Sequence, residues 1–173
     1  GTFKIPETVC YPLLYAPDPP FFEQFAAETA EKLTLPLVAK LAFGSWGQQV
    51  FLLHSIAEII DFQKKYYAVP HLYCRFIQES AGRDLRVYYA DGKAVAAVKR
   101  ENKTDFRSNI ALGGIAENHE FTEQERQIAE EACRFLNLDF GGVDLLFSED
   151  DFPYVCEVNS NAIFTATEEI SGV

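Results

Sequence analysis

Phe140-Gly141-Gly142-Val143-Asp144-Leu145-Leu146, followed by Cys156-Glu157-Val158-Asn159-Ser160-Asn161, is the part of the chain that decides its reading. The first stretch is an apolar strand with a carboxylate near its end. The second reads as the next strand and carries a Glu and an Asn at alternate positions. Side chains at i and i+2 of a strand point to the same face. Asp144, Glu157 and Asn159 therefore converge as three hard oxygen ligands. Such a set suits Mg²⁺, which keeps several waters and binds through one or two carboxylates plus substrate phosphates. A metal–phosphate site of an ATP-using enzyme is the expectation.

The chain has 173 residues, 48% apolar and 24% charged, ordinary values for a globular protein with one domain or two small lobes. No apolar run approaches the roughly 18–20 residues of a membrane span, and no signal-peptide pattern opens the chain. The net charge of -11 argues against non-specific nucleic-acid binding, which needs surplus Lys and Arg. Basic residues nevertheless gather at Arg83, Arg86, Lys99, Arg100, Lys103 and Arg107. Cys10, Cys74, Cys133 and Cys156 match no zinc or CxxC spacing and read as reduced thiols of a cytoplasmic protein. Met is absent even at position 1, and the chain stops at Ser171-Gly172-Val173 with no closing element. A fragment of a longer protein is expected.

Along the chain, residues 2–15 read as a strand leading to a loop. Asp18-Pro19-Pro20 signals a helix start, and residues 21–33 keep helical spacing. Residues 35–41 form a strand carrying Lys40 near its end, 43–48 a glycine-containing loop, and 50–53 a strand. Ser55 caps a helix over 56–67. Residues 69–77 read as a strand, and 85–90 with 93–100 as a hairpin about Asp91-Gly92. The polar stretch 101–114 reads as a mobile, functional loop. Thr122 with Glu125 forms a capping box for a helix to residue 136, and the Glu120–Glu131 charges read as its solvated face. The order predicts an α+β protein with antiparallel strands in two lobes: 1–71, a hinge strand over 72–80, and 81–173. His54, His71 and His119 show no spacing that suggests a metal or catalysis.

Several motifs, taken together and in order, resemble the ATP-grasp ligases, and among them the RimK-type glutamate ligases. They are Pro36-Leu37-Val38-Ala39-Lys40, Gly44-Ser45-Trp46-Gly47, Phe76-Ile77-Gln78-Glu79-Ser80-Ala81-Gly82-Arg83-Asp84-Leu85-Arg86, Ala96-Ala97-Val98-Lys99-Arg100, Asp105-Phe106-Arg107-Ser108-Asn109, Gly113-Gly114, Gly141-Gly142-Val143-Asp144 and Glu157-Val158-Asn159-Ser160. The resemblance implies an ATP-grasp fold whose two lobes clasp ATP, and a mechanism through an acyl phosphate that an amine attacks to form an amide.

It also implies roles. Asp144, Glu157 and Asn159 match metal ligands for Mg²⁺, with Mn²⁺ as an alternative. Lys40 matches a phosphate contact, and Gly44, Ser45 and Gly47 a flap whose backbone N–H groups cover phosphates. Arg75, Phe76 and Ile77 match the strand that reads adenine, although the family usually has Glu where Arg75 stands and often Gln at Cys74. Asp84 matches a position beside the nucleotide. Arg107 matches an arginine facing the transferring phosphate, where a guanidinium fork suits the charge, with Arg100, Arg86 and Asn109 as further candidates. The implied substrates are an amino acid, glutamate, and an amine, peptide or protein acceptor, with assembly as a homo-oligomer in many relatives. The family's preceding α/β domain, which helps form the acceptor site, and its closing helix are expected to lie outside this chain. A nucleotide-binding or regulatory module without turnover, and a phosphotransferase stopping at the phosphorylated product, are the competing readings.

Overall fold

The computed structural model describes residues 3–44 and 46–163. The chain divides into two units, Pro6–Phe76 and the portion from Ile77 onward joined by the N-terminal segment through Ile5. That segment was expected in the first lobe. It joins the second because Lys4 bridges Tyr154 in parallel and the Lys4 carbonyl accepts from the Val155 amide at 2.8 Å.

The first unit runs β1 (Thr8–Cys10), α1 (Pro19–Leu33), β2 (Leu37–Leu41), β3 (Val50–Leu53), α2 (Ile56–Tyr66) and β4 (His71–Arg75), with antiparallel neighbours in the order β1-β4-β2-β3. The Asp18 carboxylate accepts from the Phe21 amide at 3.2 Å and Pro19 and Pro20 fill the first turn, where no amide hydrogen is missed. Ser55 caps α2 in the same way through the Glu58 amide. Phe22, Ala26 and Leu33 of α1 and Ile59 and Phe62 of α2 meet Leu37, Ala39 and Tyr73 of the sheet in one core. The strand expected over 69–77 ends at Arg75, and a 3₁₀ turn over Gln78–Ser80 follows.

The second unit runs β5 (Arg83–Ala90), β6 (Lys93–Glu101), β7 (Ile115–Asn118), α3 (Glu123–Phe135), β8 (Phe140–Leu146) and β9 (Tyr154–Asn159), ordered β7-β6-β5-β8-β9 and antiparallel throughout. Leu85, Val87, Tyr89, Ala97, Val143, Leu145 and Val155 pack against Ile128, Ala129, Ala132 and Cys133 of α3. Period-two alternation then sends Asp84, Arg86, Arg100, Gly142 and Asp144 to the opposite face. A bulge at Cys156 opposes Glu157 to Asp144 but Val155 to Leu145. The extra residue lets Val155 and Val158 both reach the core while Glu157 and Asn159 keep to the other face.

The α3 capping box forms, with Thr122 and Glu125 exchanging both bonds. The expectation of a wholly solvated acidic face fails at Glu130, which is buried and accepts from the Ala94 amide at 3.2 Å and Arg126 at 2.8 Å. Strand β7 was also not foreseen. It is an exposed edge held by backbone bonding to β6, and Ile115-Ala116-Glu117-Asn118 leaves no clear alternation to read. Among the described residues, no helix is long and apolar enough to cross a membrane, and all four cysteines are free thiols.

Inside the first unit, His71 is buried and stacks on Tyr11 with ring centroids 4.1 Å apart. Its Nδ1 lies 2.8 Å from the Val69 carbonyl, which only accepts, so Nδ1 carries the proton. Nε2 of the neutral ring then accepts from the Tyr73 hydroxyl at 3.0 Å. Burial pushes the His71 pKa below its ordinary 6.5. A folded-state pKa depressed in this way stabilises the protein fully above about pH 6.5, and the contribution is lost as pH falls toward the folded value. Thermal melts are expected to show a decline on acidification through this window that His71→Gln flattens. Equal slopes for both proteins would disprove it.

Candidate functional site

On the polar face of the second sheet, three neighbouring strands carry a chain of ion pairs. Arg86 of β5 stands opposite Asp144 of β8, and Asp84 of β5 opposite Arg100 of β6. Arg86 forks onto Asp144, Nε to Oδ1 and Nη2 to Oδ2, both at 2.7 Å. Arg100 forks onto Asp84 at 2.7 and 2.5 Å and reaches Asp144 Oδ2 at 3.0 Å. Asp84, Arg100 and Asp144 are 7%, 4% and 6% exposed.

Charges this deep survive only when paired, because desolvation of each costs several kcal/mol. Burial works to raise the Asp144 carboxyl, but the Arg100 and Arg86 guanidiniums hold it below the usual carboxylate range. Burial raises Asp84, with Arg100 and the Ser108 hydroxyl pulling against it. Both arginines are held above their ordinary value despite burial, chiefly by Asp144.

Glu157 is exposed directly across from Asp144, and Asn159 across from Gly142. The Asn159 amide nitrogen is buried with no hydrogen-bond partner among the described residues, a costly state that a polar ligand relieves. Gly142 is required by crowding: a Cβ there would stand 2.8 Å from the Ala162 Cβ. Two carboxylates and an amide oxygen on adjacent strands form a donor set suited to a hard divalent cation. Among the described residues, no three His, Cys, Asp or Glu side chains form such a group by themselves.

The loop after β6 differs from the mobile segment expected. The Asn102 side chain is its hub: Oδ1 accepts from the Thr104 amide, the Thr104 hydroxyl and the Asp105 amide, while Nδ2 donates to the Leu112 carbonyl. Gly82, at φ +71°, bonds the Phe106 carbonyl, and a Cβ there would stand 2.4 Å from the Asn102 carbonyl oxygen. Asp105 caps the Arg107 amide and grips its guanidinium at 2.9 and 2.7 Å; hydrogen bonding from Arg107 lowers the Asp105 carboxyl. The Asn109 carbonyl accepts from the Leu112 and Gly114 amides. Ser108 of this loop is buried, and its hydroxyl pulls the Asp84 carboxyl down.

The structure thus brings together Asp84, Arg86, Arg100 and Asp144, with Glu157 and Asn159 beside Asp144. Arg107 and Asn109 lie on the loop after β6. Asp84 has Arg100 as its immediate partner. Ile77 is buried in this same unit. The other expected residues lie in the first unit. Lys40 sits half-buried on β2 between Val50 and Leu72, and Phe76 is half-buried. Arg75 is exposed and pairs with Glu7 at 2.5 Å. Gly47 and Trp46 have φ of 74° and 58°, and Trp46 is 61% exposed. Gly44 leaves space that the Gln49 side chain fills, and Ser45 lies outside the described residues. Asn102, Ser108 and Gly142 were not singled out as site residues. Only Asn102-Lys103-Thr104-Asp105 carried a local signal, that of an Asx turn.

Replacing Asn102 by Ala is expected to cost about 2–3 kcal/mol of stability, since three partly buried backbone groups lose their partner at once. Urea denaturation measures it, and a loss under about 0.5 kcal/mol would contradict the hub role.

A family model described as the RimK-like ATP-grasp domain matches residues 21–173. The chain is 35% identical to human N-acetylaspartylglutamate synthase A over 147 residues, 82% of this chain and 37% of the relative. It is 38% identical over 141 residues to a probable alpha-L-glutamate ligase of Enterobacter sp. (strain 638), 80% of this chain and 47% of the relative. The chain therefore spans less than half the length of these relatives. Among solved structures, D-alanine–D-alanine ligase from Bacillus anthracis superposes with a TM-score of 0.71 at 17% identity, covering 96% of this chain and 54% of that one. The ATP-grasp ligase PsnB, complexed with minimal precursor, Mg and ADP, does so with a TM-score of 0.68 at 19% identity over 99% of this chain and 49% of its own. Both share the α+β architecture of two antiparallel sheets.

Proposed function

Because this chain belongs to the RimK-like ATP-grasp family, we propose that it is the nucleotide- and metal-handling part of an ADP-forming carboxylate–amine ligase that joins glutamate to an acceptor through an amide bond. The observation that carries this reading is Asp144, with Glu157 opposite it and Asn159 alongside, bordered by Arg86, Arg100 and the loop of Arg107. Carboxylates and guanidiniums alternating on one sheet face match the needs of phosphoryl transfer, where positioning and charge neutralisation supply most of the catalysis.

Asp144, Glu157 and Asn159 are the residues that would hold Mg²⁺ or Mn²⁺. When bound, the ion neutralises and aligns phosphate oxygens. Arg107, stiffened by Asp105 and the Asn102 hub, is assigned to the charge that develops as a carboxylate oxygen attacks the γ-phosphorus and ADP leaves. An amine then attacks the acyl carbon of the resulting acyl phosphate and inorganic phosphate departs. Arg100 and Asn109 serve the same pocket, with Asp84 behind Arg100. Lys40 is assigned to ATP phosphates, the Gly44–Gly47 loop to covering them, and Arg75, Phe76 and Ile77 to the adenine side. The curated relatives, an N-acetylaspartylglutamate synthase and a probable alpha-L-glutamate ligase by name, support glutamate as a substrate. PsnB complexed with precursor peptide PsnA2 supports a peptide acceptor as the alternative. Four free thiols fit a reducing compartment such as the cytoplasm.

The test is Mg²⁺-dependent ADP release by the full-length protein with glutamate and candidate acceptors, read together with mass spectrometry of the product. An amide product is expected. ADP with only a phosphorylated product would replace ligation by phosphotransfer, and nucleotide binding without ADP release would leave a regulatory module. Asp144→Asn is expected to lower turnover by about 10²–10³-fold, the scale of losing one electrostatic contact in an active site. Lys40→Ala should weaken ATP far more than adenosine; equal losses would move Lys40 off the phosphates.

A further inference from the structure

Arg86 occupies Asp144 in a way that bears directly on how a cation reaches it. Its fork covers both carboxylate oxygens at 2.7 Å, and Arg100 takes a second position on Oδ2 at 3.0 Å. A carboxylate offers about four lone-pair positions, and three of those on Asp144 are engaged. Two carboxylates, Asp84 and Asp144, face two guanidiniums, Arg86 and Arg100, so this set of four is neutral, and among the described residues Glu157, across from Asp144, adds a negative charge. A lone divalent cation therefore meets one net negative charge and a ligand already held.

The two arginines are not equivalent. Arg100 is 5% exposed in its side chain and doubly committed to Asp84, whereas Arg86 is 18% exposed and, among the described residues, ion-pairs with Asp144 alone.

We infer that Arg86 is an internal counter-cation of Asp144: it holds the carboxylate in place when no metal is bound, competes with the divalent ion for it, and is freed to pair with a polyphosphate once the ion arrives. The inference rests on the ligase reading only in taking Asp144 as a metal ligand. It makes metal and nucleotide binding mutually dependent. The ion releases a guanidinium that the phosphates need, and by thermodynamic reciprocity the phosphates raise affinity for the ion by the same factor. Arg86 is thereby a positioning residue whose removal should improve one binding step and impair another.

The experiment measures Mn²⁺ binding to the full-length protein by electron paramagnetic resonance and calorimetry, with and without a non-hydrolysable ATP analogue. In the absence of nucleotide, Arg86→Gln is expected to bind Mn²⁺ about tenfold more tightly than the parent, because a unit positive charge beside the ion is gone. Addition of the analogue should raise the Mn²⁺ affinity of the parent markedly and that of the variant little. Thermal melts in chelator should show Arg86→Gln less stable than the parent, with Mn²⁺ restoring more of its stability. If Arg86→Gln does not fold, Arg86→Lys keeps the charge without the fork, and a smaller tightening is expected from it. Unchanged or weaker Mn²⁺ binding in the folded variant overturns the inference, as does nucleotide coupling equal to that of the parent. Asp144→Asn separates the two failures. If it abolishes Mn²⁺ binding while Arg86→Gln leaves affinity unaltered, only the role of Arg86 falls; if Asp144→Asn binds Mn²⁺ normally, the metal-site reading itself falls.

Discussion

The five-stranded sheet has one face for the core and one for charge, and the chemistry of this protein depends on that division. Helix α3 covers the face of Leu85, Val87, Val143 and Leu145, so strict alternation leaves Asp84, Arg86, Arg100 and Asp144 on the other. Four charges taken largely from water are tolerated because each carboxylate meets a forked guanidinium on the neighbouring strand. Breaking one such pair costs about 3–5 kcal/mol, because it strands its partner. The network is therefore a constraint on the sheet as much as a feature of the site. Strands β5, β6 and β8 must keep register for the forks to close.

Two irregularities adapt this plan. The bulge at Cys156 inserts one residue so that apolar Val155 and Val158 both reach the core while Glu157 stays opposite Asp144. The loop after β6 is organised by one buried side chain, Asn102, which replaces strand bonding with four hydrogen bonds of its own. Arg107 consequently sits on a stiff segment, gripped by Asp105. Preorganisation of this kind suits a reaction in which fixed charges, aimed in advance, do most of the work.

Much of this was legible in the residues. Helix starts were readable from Asp18-Pro19-Pro20, Ser55 and Thr122-x-x-Glu125 because a cap needs only a local side-chain oxygen. The β5–β6 hairpin was readable from Asp91-Gly92, which favours positive φ, found at 48° and 85°. The i and i+2 spacing of Glu157 and Asn159 put those two side chains on one face, the face that Asp144 shares. Strand β7 was not legible, since its stability comes from bonding to β6 and its exposed side chains carry no pattern. Glu130 was misjudged because a helical wheel does not reveal that the Ala94 amide waits beneath it.

By itself, the sequence determined most of the elements, their antiparallel pairing and the family, all of which follow from spacing, capping and motif order. Tertiary structure alone decided which charges neutralise which. Asp84 is a partner of Arg100, Asp144 is shared by two arginines, and the polar loop is stiff. These facts depend on cross-strand register and on desolvation, and neither quantity is written in the order of residues along one strand.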